Sequence, residues 1–350
     1  MAVTTPDVFE KPADVLAETI SDRKINWLER LSGPENYRLV RGLVRTPASV
    51  AGMSLILIYA IVALAAPLIA PPLPNSDPYM IPRDGFSPVP MPAGSAWAFG
   101  DQPPLPFWWK SIMHTDTWVH VLGTSANQYD IFYGIIWGAR TAFMTGIFVV
   151  FVTVMIGLSV GAIAAYYGGA IDNILMRIVD VFLTLPYILA ALILAAVLIP
   201  KMGRSLWPTM LALIGFGWMG YSRLIRGDIL SVRERDYVLA ARVIGVKDSR
   251  ILIKHIIPNA VFPTLVLASL AIGDVVLSFA ALSFLGIGAP EGYADWGQLL
   301  SHARDWIPDL GHYWYILLWP GLALVLFVLG WNLLGDAMRD ILDPKMRGKT

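Results

Sequence analysis

Residues 223–259, RLIRGDILSVRERDYVLAARVIGVKDSRILIKHIIPN, form a basic amphipathic stretch between two apolar runs, each long enough to cross a bilayer. Eight of its residues are basic: Arg223, Arg226, Arg233, Arg235, Arg242, Lys247, Arg250 and Lys254. Such a loop stays on the cytoplasmic side of a membrane. Val232, Val238, Leu239, Ala241 and Val246 supply apolar contacts while Arg233, Arg235, Asp236, Arg242 and Lys247 stay wet, the pattern of a short surface helix. Gly245 is placed to end that helix in a left-handed turn. Asp248 or Ser249 then caps a second helix over 250–257, and Pro258 marks the start of the next span. Helix, glycine turn, helix and proline make an elbow suited to carry a push from a partner into two membrane helices. A basic loop that only faced lipid would need the charges and not this punctuation.

Outward from the elbow, the composition is that of a polytopic membrane protein: 56% of residues are hydrophobic and 15% charged, with a mean hydropathy of +0.60. Runs near 20 apolar residues, the length a helix needs to cross the hydrocarbon, occur near 49–70, 141–166, 177–199, 207–225, 261–285 and 314–335. The sequence therefore predicts an all-α fold with six transmembrane helices. The first run follows a long polar segment, so it reads as a retained anchor and not a cleaved signal. With the N-terminus inside, 20 of the 26 Lys and Arg residues fall on inner segments, which places both termini in the cytoplasm. The expected organisation is a cytoplasmic segment 1–48, a first helix 49–70 and an outer region 71–140. A core of five helices at 141–335 follows, with its cytoplasmic loop at 226–260, and then a tail at 336–350. Ile25, Leu28 and Leu31, ahead of Pro34, suggest a surface helix in the first segment.

The outer region is long for a connection, and its first half holds eleven prolines between 71 and 106, so extended rigid chain is expected. Trp97, Trp108, Trp109, Trp118 and Trp137 suit the lipid headgroup boundary; stacking on a sugar or peptide is the competing use. Charges at membrane depth are few. Arg177 and Asp180 sit i,i+3 on one helix, as a local ion pair would. Asp274 lies inside the fifth run, either lining a pathway, facing a partner, or held by a buried hydrogen bond. Gly157 and Gly161 form a G-x-x-x-G helix-packing pattern.

Catalysis finds little support. The chain has no cysteine, and its single Gly-Lys-Thr, 348–350, has Asp343 where a phosphate loop needs its first glycine. His302, Asp305, Asp309 and His312 cluster in sequence without metal-site spacing and read as structural or solvent-exposed. No catalytic residue, cofactor or metal is expected.

At the elbow, Leu239-Ala240-Ala241, then Gly245, then Ile257-Pro258 resemble the Glu-Ala-Ala loop of bacterial ABC importer permeases, with Leu239 in place of the motif's Glu. HVLGT at 120–124, Asp130, GAR at 138–140, LSFLGIG at 282–288, Trp296-Gly297 and PGLALVLFVLGWNLLGDAMRDILDPKMR at 320–347 are similar to the C-type permease of the oligopeptide and dipeptide (peptide/nickel) importers. The resemblance runs from about residue 35 to 347. It departs at Phe279, where Glu is common, and in a longer stretch over 75–118.

The resemblance implies a type I ABC importer permease fold in a bacterial or archaeal cell membrane. The implied partners are a B-type permease, two ATP-binding subunits that hydrolyse the ATP, an extracytoplasmic solute-binding protein and membrane lipid, with no nucleic acid. Tyr237, Leu239, Ala240, Ala241, Gly245 and Pro258 would couple to the ATPases, and Asp274 and Phe279 would be pathway or structural positions. Peptide is the implied solute; an oligosaccharide, by the tryptophan argument, and a metal complex are alternatives. A secondary transporter would be expected to carry an internal repeat and several buried charges, and a membrane-embedded enzyme a clustered catalytic set; neither is apparent.

Overall fold

The computed structural model describes residues 46–342, so the expected helix around Ile25–Leu31 and the end of the tail lie outside the described residues. Helix α1 spans Pro47–Ile69. An irregular region follows, holding β1 (Ser95–Ala96), α2 (Trp109–Met113) and β2 (Val119–His120), with β1 and β2 antiparallel and Ser95 opposite His120. Helix α3, Ile131–Tyr167, begins ten residues before the predicted span because Asp130 caps it, accepting the Tyr133 N–H at 2.8 Å. Then come α4 (Gly169–Leu183), α5 (Tyr187–Met202) and α6 (Leu206–Arg233). The elbow contains α7 (Asp236–Val243), α8 (Asp248–Ile251), a π turn and α9 (Ile257–Ala260). The chain ends in α10 (Phe262–Phe284), α11 (Trp296–Ala303) and α12 (Leu310–Leu342).

Among the described residues four helical stretches are long and apolar enough to cross a membrane: α1, α3, α10 and the run 296–340; the α4–α5 pair makes a fifth if counted as one span. The third predicted span is not one straight helix. It breaks by 89° between α4 and α5, at Thr184-Leu185-Pro186. Proline supplies no N–H and pushes the residue before it out of the helical region. The fourth predicted run lies in α6, which falls outside the apolar set; Arg223, Arg226, Asp228 and Arg233 crowd its second half.

Helix α3 is the spine of the bundle. Its glycines let α6 approach closely: a Cβ on Gly157 would lie 2.5 Å from the Tyr221 Cβ, and one on Gly161 2.5 Å from the Ser222 carbonyl. The G-x-x-x-G pattern is therefore a packing seam. The expected Arg177–Asp180 pair does not form. Asp180 instead pairs with Arg223 of α6, and Asp172 takes Arg226 in a two-pronged contact, 2.5 Å at both Nε and Nη2. A guanidinium fork facing a carboxylate from the next helix offers better geometry than neighbours on one helix.

Residues 71–130 fold into a cap over the α3 N-terminus. Trp109, Trp118 and Trp137 are buried there, not placed at a lipid boundary or open to a ligand. Trp109 and Trp118 stack with centroids 4.4 Å apart. Each buried indole N–H finds an acceptor: Thr117 O, the Asp130 carboxylate and Ala70 O. Trp97 and Trp108 remain half-exposed.

Candidate functional site

The elbow lies at the far end of α3 and α6 from the cap. Helix α7 closes with a Schellman turn: the Gly245 N–H donates to Arg242 O at 3.0 Å and the Val246 N–H to Ala241 O at 3.1 Å. Gly245 has φ +77°, and a Cβ there would meet nothing within 4 Å, so backbone conformation and not space demands glycine. The second helix starts two residues before the predicted 250, with Lys247 as its N-cap. Asp248 does not cap it; its carboxylate accepts the Tyr166 hydroxyl at 2.5 Å. Pro258 sits in the first turn of α9, where a missing N–H costs nothing.

One side of the elbow is fastened to the bundle. Val232, Val238, Ala241, Ile251 and Ile256 bury against Ala162, Ala165 and Tyr166 at the end of α3 and Ile225 and Ile229 of α6. Arg233, expected to stay wet, is half-buried and donates through Nη1 to Ala165 O at 2.9 Å. The Arg242 guanidinium lies over the Tyr166 ring, 5.6 Å from its centroid. The other side is open. Val243 is 87% and Ile244 78% exposed, with Tyr237, Leu239 and Ala240 also exposed beside them. Leu239, read from the sequence as an apolar contact, faces out because Val238 and Ala241 already fill the seam. Arg235, Arg242, Lys247 and Arg250 are exposed around this apolar tip. A fixed apolar knob with a polar rim is the form of a docking surface.

At the cap end, His120 lies between two carboxylates, with Nδ1 2.7 Å from Asp130 Oδ2 and Nε2 3.2 Å from Asp84 Oδ2; all three side chains are fully buried. Asp84 also accepts the Ala98 N–H at 2.7 Å and the Phe99 N–H. Burial opposes the imidazolium, but the hydrogen bonds and charges of Asp130 and Asp84 outweigh it and raise the His120 pKa above its usual value. Sequence reading quoted His120 and Asp130 within a motif but did not join them, and it missed Asp84.

Of the remaining candidates, Asp274 is exposed on α10 and makes no side-chain hydrogen bond or ion pair with any described residue. Phe279 is 2% exposed, packed in the core with Val149, Leu213 and Leu282. Among the described residues no group of His, Cys, Asp or Glu is arranged to hold a metal. His302 stacks on Tyr129, whereas His312 pairs with Asp309 in solvent.

A bundle of long apolar helices, close-packed through glycines and ending in a fastened elbow with an exposed tip, defines a multi-pass membrane protein. Residues 157–348 match the family of binding-protein-dependent transport system inner membrane components, and the chain belongs to this family, the transmembrane permeases of ABC importers. The dipeptide transport system permease protein DppC of Alkalihalophilus pseudofirmus is 39% identical over 228 residues, 65% of this chain and 73% of that protein. DppC of Haemophilus influenzae is 32% identical over 296 residues, 85% of this chain and 90% of its own length. The glutathione transport system permease protein GsiD of Pectobacterium atrosepticum is 39% identical over 65% of this chain and 73% of its length.

Proposed function

We propose that this chain is one of two permease subunits of an ATP-driven peptide importer, supplying half of the translocation pathway. Support for the solute comes from the relatives, which are named for dipeptides, oligopeptides and glutathione. The tryptophan argument for an oligosaccharide loses its footing because three of the five rings are buried. In this reading the cap is extracytoplasmic and meets a solute-binding protein, both termini are cytoplasmic, and α6 crosses the membrane as well, giving six spans. Buried against α3 and α5, α6 has little need of an apolar surface. Asp274 faces the B-type permease or the pathway.

The exposed apolar tip of the fastened elbow carries the proposal. Tyr237, Leu239 and Ala240 enter a cleft in an ATPase subunit; Ala241, Gly245 and Pro258 hold the elbow's shape. Closure of two ATP-loaded subunits draws the elbows of the two permeases together, and because each elbow is tied to α3 and α6, the bundles rock to open outward. Solute passes from the binding protein, and ATP hydrolysis in the partners returns the pair to the inward state. The test is a mild-detergent pull-down from the native membrane, with ATPase assayed with and without the binding protein. A second permease, ATP-binding subunits and stimulated ATPase are expected. Recovery of a silent single chain, under conditions that preserve other membrane complexes, would overturn the reading.

A further inference from the structure

A cleft of about 390 Å³ opens where the cap meets the helices, lined by Asp77, Tyr79, Tyr293, Trp207, Phe148 and Met144 among others. Its volume falls in the range of small-ligand sites. One wall is rigid: Tyr79 and Tyr293 stack at 5.3 Å with rings 2° from parallel. Their backbones are bridged by the Ala294 N–H to Tyr79 O at 2.7 Å and the Ile81 N–H to Gly292 O at 2.8 Å. Trp207, about half-exposed, meets Phe148 edge to face across 5.5 Å. The lining holds no Lys, Arg or His. Its one charged group, Asp77, is exposed, accepts the Tyr79 N–H at 2.9 Å and has no cationic partner among the described residues. Aromatic faces and a lone carboxylate around an apolar hollow favour an ammonium group carried on an apolar body, and disfavour an anion.

We propose that this cleft receives the amino-terminal end of the solute, the α-ammonium against Asp77 and the first apolar side chain between the aromatic walls. This rests on the peptide reading above, since a free α-amino group is largely protonated at neutral pH. An aminophospholipid headgroup presents the same ammonium, and the test separates the two sources. The assembled transporter, labelled with 5-fluorotryptophan and held in phosphatidylglycerol nanodiscs, is titrated with phenylalanine amide and with its N-acetyl analogue. The Trp207 resonance is assigned by Trp207→Phe. A saturable shift with the free amine is expected, weakened about tenfold by acetylation. In Asp77→Asn, which keeps an Oδ1 for the Tyr79 N–H, the two probes should become equivalent. Equal responses in the unaltered protein, an Asp77→Asn variant that still discriminates, or displacement of the probe by phosphatidylethanolamine would each overturn the proposal. Uptake of labelled dipeptide by cells tests the peptide reading separately: binding of the amine without peptide uptake would sink that reading and leave the ammonium site standing.

Discussion

The cap and the elbow occupy opposite ends of α3 and treat polarity in opposite ways. The cap buries Asp84, His120 and Asp130 and satisfies them internally, even feeding Asp130 a tryptophan N–H and using it to cap α3. The elbow leaves most of its charges in solvent and exposes Val243 and Ile244. The cap's buried polar groups are complete by themselves, although Phe86, Phe107 and Ile112 stand exposed on its surface; the elbow is finished on one side only. Burial of charge with full pairing fixes a structure, while an unpaired apolar tip on a fixed mount calls for a second surface.

That contrast makes different demands on substitution. Asp130→Ala should be the most damaging, at about 3–5 kcal/mol, because it takes the shared acceptor from the buried His120 Nδ1 and Trp118 N–H and uncaps α3. Unfolding in nanodiscs should show the loss, and exchange protection should fall over the cap and stay unchanged over residues 236–256. Gly245→Val should cost about 1–2 kcal/mol locally by forcing a β-branched residue to positive φ. It should also separate ATP hydrolysis from uptake, and normal coupling in that variant would remove the turn from the mechanism.

Smaller in size is the effect of pH on the cap. Because the folded His120 pKa lies above its unfolded value near 6.5, its stabilisation is fully present below that value and fades as pH rises through the folded pKa. Cap protection factors, corrected for intrinsic exchange, should fall over that window, and His120→Gln should flatten the dependence. Replacing both Val243 and Ile244 by Ser should change stability least, within about 0.5 kcal/mol, since neither is buried. The ATP-binding subunits should nonetheless be lost from the pull-down; their retention would break the comparison.

The same contrast governs what could be read in advance. Much of the elbow was legible because its signals are local: the spacing of Val238 and Ala241, and a glycine where a helix must turn left-handed. Asp248 misled because its carboxylate is taken by Tyr166, 82 residues away in sequence. The cap network was invisible for the same reason, joining Asp84 to His120 across 36 residues. Pro186 was in plain sight, but the apolar residues on both sides of it matched the pattern of an unbroken span. Tryptophan burial depends on what the neighbouring loop supplies, which composition does not reveal.

Helix α3 runs 37 residues without a proline. At ~1.5 Å per residue it is about 55 Å long, against ~30 Å of hydrocarbon, so it is longer than a bilayer crossing requires. A tilt of only about 5° imposed at Tyr166 would sweep the Asp130 end through roughly 5 Å, on the scale of one helical turn. Gripped by the elbow at one tip and roofed by the cap at the other, this single stiff element would, in the proposed importer, turn angular strain on one face of the membrane into displacement on the other.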